Sequence, residues 1–220
     1  MTAPLIRASF VGKIMAEPKL KADKEAGNLS EGAKTALNKL AKEIVYDYRA
    51  ELNTKPIKKG LQCEQDSIDL FNRVFFTFHE KNETRISNEL MTGECDILAD
   101  DVIIDIKSSY SLDTFPAVAP YDTVEKMRSD DYYWQGVMYM YLYDKPRYEV
   151  AYCMVDTPEE LCQYEQTDLH CVSHIPENMR VTVWRFDRNL DDEAKMIEKC
   201  KKAQAYIIEQ IQRIKDAHNF

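Results

Sequence analysis

The segment GECDILADDVIIDIKSS, residues 93–109, constrains the fold more than any other stretch of the chain. Val102 to Lys107 reads as an apolar strand interrupted by two charges. Alternate residues of a strand share a face, so Asp105 and Lys107 point one way while Ile104 and Ile106 point into the opposite, apolar layer. If Asp100 and Asp101 form the tip of a hairpin, Asp96 lies across from Asp105 and Glu94 across from Lys107. Two carboxylates held roughly 5 Å apart repel each other, a conflict that a purely structural sheet avoids and a divalent cation removes. Magnesium suits such a pair, because it takes hard oxygen ligands and needs only one or two protein carboxylates besides water and phosphate. The plainer alternative is an exposed hairpin whose Asp, Glu and Lys form ordinary cross-strand ion pairs.

The rest of the chain supplies the layers for that strand pair. Ser30 is a good N-cap for a helix running to about Leu52, with Ala33, Leu37, Leu40, Ile44 and Tyr48 on one face. The opening stretch from Lys19 to Glu31 reads as loop. A second helix is expected from Leu61 to Phe78, with Ile68, Phe71, Phe75 and Phe78 forming its apolar stripe. Glu64 falls on that stripe, where an acid is costly unless it finds a cation or a donor. Strand-like segments follow at Arg85–Met91, Gly93–Leu98 and Val102–Lys107, then a Pro-containing loop, a Tyr-rich helix from Val124 to Tyr143, strands at Arg147–Val155 and Arg180–Phe186, and a terminal helix from Asp191 to Ala217. This order predicts an α/β architecture in one domain spanning 1–220, a sheet covered by helices. In the Tyr-rich helix, Gln135 and Tyr139 are four residues apart and share a face, and a Gln among aromatics needs partners.

Bulk properties narrow the function. A net charge of -9 argues against a protein that coats nucleic acid non-specifically, but it leaves room for a local basic stripe, for which Lys34, Lys39, Lys42, Lys55, Lys58 and Lys59 are candidates. No apolar run approaches a bilayer span, and the first residues lack the order of a signal peptide, so a soluble cytoplasmic protein is expected. The six cysteines form no CxxC pair, which favours reduced thiols over a disulfide framework or a zinc site near Cys162, His170, Cys171 and His174.

The order Glu64, Asp96, Asp105-Ile106-Lys107 and Gln135-Gly-Val-Met-Tyr139 resembles the RecB-like branch of the PD-(D/E)xK nucleases, and most closely the lambda-exonuclease (YqaJ-type) phage recombination enzymes. KKGLQCEQDSIDLF is similar to the family's helix with a glycine shortly before the catalytic acid, and IRASFVGKIM to its N-terminal Ala-Ser segment. Cys95 stands where the superfamily's name has proline, and Asp105 is the permitted alternative to Glu. The resemblance implies a restriction-endonuclease-like mixed central sheet flanked by helices. It implies that Glu64, Asp96, Asp105 and the main-chain carbonyl of Ile106 hold magnesium, with manganese able to substitute and no iron-sulfur cluster. Lys107 would act on the attacking water, by orienting or deprotonating it or by stabilising the pentacovalent charge. Gln135 and Tyr139 would position the DNA end, and Ser9, helped by Arg7, would bind a terminal 5′-phosphate. The implied activity is 5′ to 3′ exonucleolytic digestion of double-stranded DNA in phage-type recombination or repair, in a bacterial or phage-infected host cell, beside a single-strand annealing protein and as a ring-shaped trimer. An endonuclease of the same superfamily and a catalytically idle DNA-binding module are the alternatives.

Overall fold

The computed structural model describes residues 3–51 and 53–218. A short strand β1 (Ile6–Arg7) leads directly into helix α1 (Ala8–Met15), followed by α2 (Lys21–Glu25) within the stretch expected to be loop. Helix α3 (Glu31–Val45) starts where expected, with the Ser30 hydroxyl accepting from the Ala33 amide at 3.1 Å. It stops short of the anticipated end because Asp47 adopts a left-handed conformation, φ 49°; the expected terminus at Leu52 lies outside the described residues. Its buried face is Ala33, Leu37 and Ala41, while Ile44 and Tyr48 are exposed.

The helix expected over Leu61–Phe78 is two helices, α4 (Lys55–Gln62) and α5 (Glu64–Phe75), broken at Cys63. Glu64 therefore opens α5 instead of sitting within an apolar stripe. Ile68 and Phe71 are buried as expected, but Phe78 is 97% exposed. The helix ends at Phe76, which is left-handed at φ 55°, and the Asn72 side chain accepts from the Thr77 hydroxyl and the His79 amide, satisfying the departing chain.

The strands fall in two sheets. Three short ones, β1, β2 (Ile86–Ser87) and β3 (Met91–Gly93), are ordered β1-β3-β2, with β1 parallel to β3. The larger sheet runs β4 (Ile97–Leu98), β5 (Val102–Ser108), β6 (Arg147–Cys153) and β7 (Val181–Asp187), with the β5–β6 pair parallel and the outer pairs antiparallel. Between β5 and β6 the chain forms α6 (Val124–Met127) and α7 (Asp131–Tyr143), and between β6 and β7 the short α8 (Glu159–Cys162). The chain closes on α9 (Leu190–Ala217). The architecture is mixed α/β with two sheets flanked by helices, where one mixed sheet was anticipated.

Strand β5 separates two apolar clusters. Ile103, Tyr148, Val150, Trp184 and Phe186 join α7, α1, α3 and α9 on one side. Ile104, Ile106, Ala151 and Cys153 pack on Ile68, Leu70 and Phe71 of α5 on the other. Helix α7 is buried nearly all round, as its lack of a polar face requires, and α1 crosses its start so closely that a Cβ on Gly12 would lie 2.6 Å from the Asp131 backbone. Among the described residues no helix is long and apolar enough to cross a membrane.

Candidate active site

The hairpin register is the one deduced from the sequence: Ile97 pairs with Ile104 and Leu98 with Ile103, which extends to Asp96 across from Asp105. Regular pairing stops at Ile97, and the Asp96 carboxylate instead accepts the Ile106 amide at 2.7 Å. That bond pins Asp96 over the strand that carries Asp105 and Lys107. The turn holding Asp96 is fixed from outside by Asn82, whose amide donates to the Asp96 carbonyl at 2.7 Å and whose side chain donates to the Cys95 carbonyl at 3.0 Å.

Asp105 is 1% exposed, in the cluster beneath α7. The Lys107 ammonium pairs with its Oδ2 at 2.5 Å, one cation against a fully buried carboxylate. Burial first, and repulsion from Asp105 second, push the Asp96 carboxyl well above the ordinary carboxylate range, against the pull of Lys107 and the Ile106 amide. Burial pulls the Lys107 ammonium down, yet Asp105 and Asp96 together outweigh it and hold the cation above its usual value. Its Nζ also stands 4.7 Å from the centre of the Tyr132 ring. Tyr148 is wholly buried on the same face, and burial followed by the nearby Asp105 charge keeps its phenol protonated.

Glu64 approaches from the other side of β5. Its carboxylate is engaged by the Lys81 ammonium, which also feels the charges of Asp96 and Glu94. Glu94, expected opposite Lys107, instead turns to Arg85 at 3.1 Å. Gln135 Nε2 donates to the Tyr139 hydroxyl at 3.2 Å, and that hydroxyl donates to the Glu94 carbonyl at 2.8 Å, so both residues are tied to the loop that carries Asp96. Arg7 ends β1 and Ser9 is exposed in the first turn of α1. Because β1 and β3 run parallel, that turn and the Glu94–Asp96 turn leave the small sheet at the same end.

The donor set fits a hard divalent cation at the Asp96–Asp105 pair. The two carboxylates repel, and the Lys107 ammonium is a single cation set against both. Among the described residues, however, no three acidic, His or Cys side chains converge as a closed metal cage. Glu64 is held at the margin by Lys81.

Comparison with solved structures identifies the fold that carries these residues. A phage-related exonuclease from Haemophilus somnus 129PT is 31% identical, with a TM-score of 0.85 over 96% of this chain and 97% of that one. The chain belongs to the lambda-type, phage-related exonucleases. The same fold recurs in an alkaline exonuclease from Laribacter hongkongensis, 12% identical with a TM-score of 0.66 over 99% of this chain and 95% of that one. In that protein's complex with dAMP the corresponding values are 13%, 0.64, 98% and 93%. No protein-family model and no curated protein matches the chain by sequence.

Within this phage-type exonuclease fold, sequence reasoning missed Lys81, Asn82, Tyr132 and Tyr148. Tyr132 was accessible, since it lies three residues before Gln135 on an adjoining helix position. Lys81 and Asn82 belong to a loop with no periodicity to read, and Tyr148 looks like any aromatic strand residue.

Proposed function

We propose that this chain is a magnesium-dependent DNA exonuclease that digests duplex DNA from 5′ ends, with manganese able to replace magnesium. The observation that carries the reading is the fully buried Asp105 carboxylate set against Asp96, with the single Lys107 cation beside both. Magnesium held by Asp96, Asp105 and the Ile106 carbonyl, with Glu64 reaching it when Lys81 releases it, would neutralise the scissile phosphate and acidify a bound water.

The chain's own residues supply the rest. Lys107, kept charged by its two carboxylate neighbours, faces the phosphate as a fixed cation and stabilises the charge that builds up in the transition state. Tyr132 covers one side of its ammonium and so limits where it can go. Asn82 and the Ile106 amide fix Asp96. Gln135, linked through Tyr139 to the Glu94 backbone, is placed to orient the terminal nucleotide, with Tyr139 as the support for Gln135. The first turn of α1 has no side-chain cap, so its amides, with Ser9 and Arg7, suit a terminal phosphate. A duplex resected in this way would present single strands to an annealing partner.

The test compares linear and covalently closed duplex, with 5′-phosphate or 5′-hydroxyl ends, with and without magnesium. Mononucleotides from linear DNA and intact circles are expected, with faster digestion of phosphorylated ends. Nicked circles would show an endonuclease, and no magnesium-dependent product from either substrate would show a binding module.

A further inference from the structure

A cleft of about 520 Å³ lies between α1 and α3, lined by Arg7, Lys13, Lys39 and Arg49 together with the hydroxyls of Ser9 and Thr35. It shares Arg49 and Ala50 with a second cleft, of about 430 Å³, that continues to Lys58 and Leu61 on α4. One groove therefore begins at the first turn of α1 and ends on the helix that precedes Glu64. Among the described residues that line it, its cations Arg7, Lys13, Lys39, Arg49 and Lys58 meet two acids, Glu43 and Glu51, in a chain where acids outnumber bases 38 to 29. Of the other expected basic-stripe residues, Lys34 is spent on Glu31, Lys55 on Glu165, and Lys59 is buried between the Tyr110 and Val155 carbonyls. Lys13, Lys39, Arg49 and Lys58 are exposed, and none is engaged by a carboxylate among the described residues. Unpaired like charges lined up along one groove raise its potential and favour an extended anion.

We infer that this groove carries the phosphate backbone of the intact duplex leading to the active site. The inference rests on the nuclease reading above: Ser9 and Arg7, where the groove begins, are the terminal-phosphate end already proposed, and Lys13, Lys39, Arg49 and Lys58 are the surface that holds the DNA beyond it. Duplex is favoured over single strand because, among the described residues, the lining holds cations, hydroxyls and aliphatic side chains but a single aromatic ring. That ring, Phe10, has the Lys13 ammonium 5.7 Å from its centre and is not bare for base stacking.

The experiment measures duplex binding to the full chain in EDTA across a series of salt concentrations, for wild type, Lys39→Glu, Arg49→Glu and the double variant. Lys201→Glu, on α9 and paired with Glu198, controls for net charge. Each lost phosphate contact should reduce the salt slope by about 0.9 and weaken binding roughly tenfold, while Lys201→Glu leaves the slope at the wild-type value. In turnover with magnesium the groove variants should show the loss in KM and not in kcat. An unchanged slope in the double variant, or an equal change in Lys201→Glu, would overturn the assignment. Weakening confined to single-stranded DNA would overturn the duplex assignment. If wild-type protein loses slope through these variants yet cleaves nothing with magnesium, the groove stands and the nuclease reading fails.

Discussion

Gly136→Ala tests how tightly the floor of the site is built. A Cβ there would lie 2.3 Å from Cδ1 and 2.5 Å from Cε1 of Tyr148, and 2.7 Å from Cζ of Phe186. Ordinary carbon contacts begin near about 3.5 Å, so one ring or the helix must shift by roughly 1 Å. Neither ring has room, because Tyr148 is 0% exposed and its ring packs at a tilt against Phe186, 5.3 Å between centroids. Overpacking of this kind costs about 1–3 kcal/mol, and two rings in the way put it at the upper end. Replacing a mid-helix glycine with alanine returns about 1 kcal/mol of helix propensity. The net is a loss of about 2 kcal/mol, which in a chain of this size lowers Tm by roughly 4–8 °C. Displacing Tyr148 also disturbs Asp105, so turnover at 25 °C should fall although the protein remains folded. Thermal unfolding without metal, followed by circular dichroism, reads the first effect, and initial rates on linear duplex read the second. Adding Tyr148→Leu should recover part of the lost Tm by clearing the ring. An unchanged or raised Tm in Gly136→Ala would refute the packing argument.

Three further outcomes are expected. Asp105→Ala and Asp96→Ala should each abolish cleavage, and magnesium at a hundredfold its Kd should raise the wild-type Tm by about 5–10 °C but hardly move either variant; an equal rise in all three would put the ion elsewhere. Lys107→Ala should still bind DNA and magnesium while kcat falls on the order of 100-fold, and activity within a few-fold of wild type would remove it from the chemistry. Burial lowers the Lys59 ammonium from 10.5 to about 8, so between those values the unfolded chain binds more protons at this group than the folded one, and its contribution to stability rises with pH. The buried cysteines oppose it, because burial holds their thiols up and they ionise first in the unfolded chain, so denaturant titrations in reducing buffer from pH 8 to 9.5 should show a more positive pH slope in wild type than in Lys59→Met; an identical slope in both would refute the assignment.

The hairpin was legible in the sequence because strand alternation and a symmetric turn leave one register for GECDILADDVIIDIK, and Ile97 does pair with Ile104. The long apolar periodicities located the principal helices for the same reason. Their ends were harder to read, since they depend on single residues entering left-handed backbone, Asp47 after α3 and Phe76 after α5, and neither is a residue type that announces such a turn as glycine would. Periodicity ran straight through the break at Cys63, so Glu64 looked like an acid inside a stripe when it is the first residue of a new helix. A loop contact such as Lys81 with Glu64, or Asn82 with Cys95, leaves no periodic trace, because it depends on where the chain returns in space. The separation of the strands into two sheets was equally out of reach, since β1 finds β3 across more than eighty residues.

The position of Asp105 explains why the site is where it is. On β5 the neighbours that share its face lead into the larger apolar cluster, and its flanking residues Ile104 and Ile106 seal the smaller one. A strand built for stability alone would place another β-branched residue at 105, completing the packing against Tyr148 and α7. A carboxylate there loses that packing and is buried as well, and burial together with the Asp105 charge holds the neighbouring Asp96 carboxyl well above the ordinary range. Lys107 offsets one of the two negative charges and leaves the other uncompensated. Protonation of Asp96 is one relief, and burial favours it; a divalent cation would be another, leaving both acids ionised, and that demand at the seam between two cores is what the proposed work on phosphate would use.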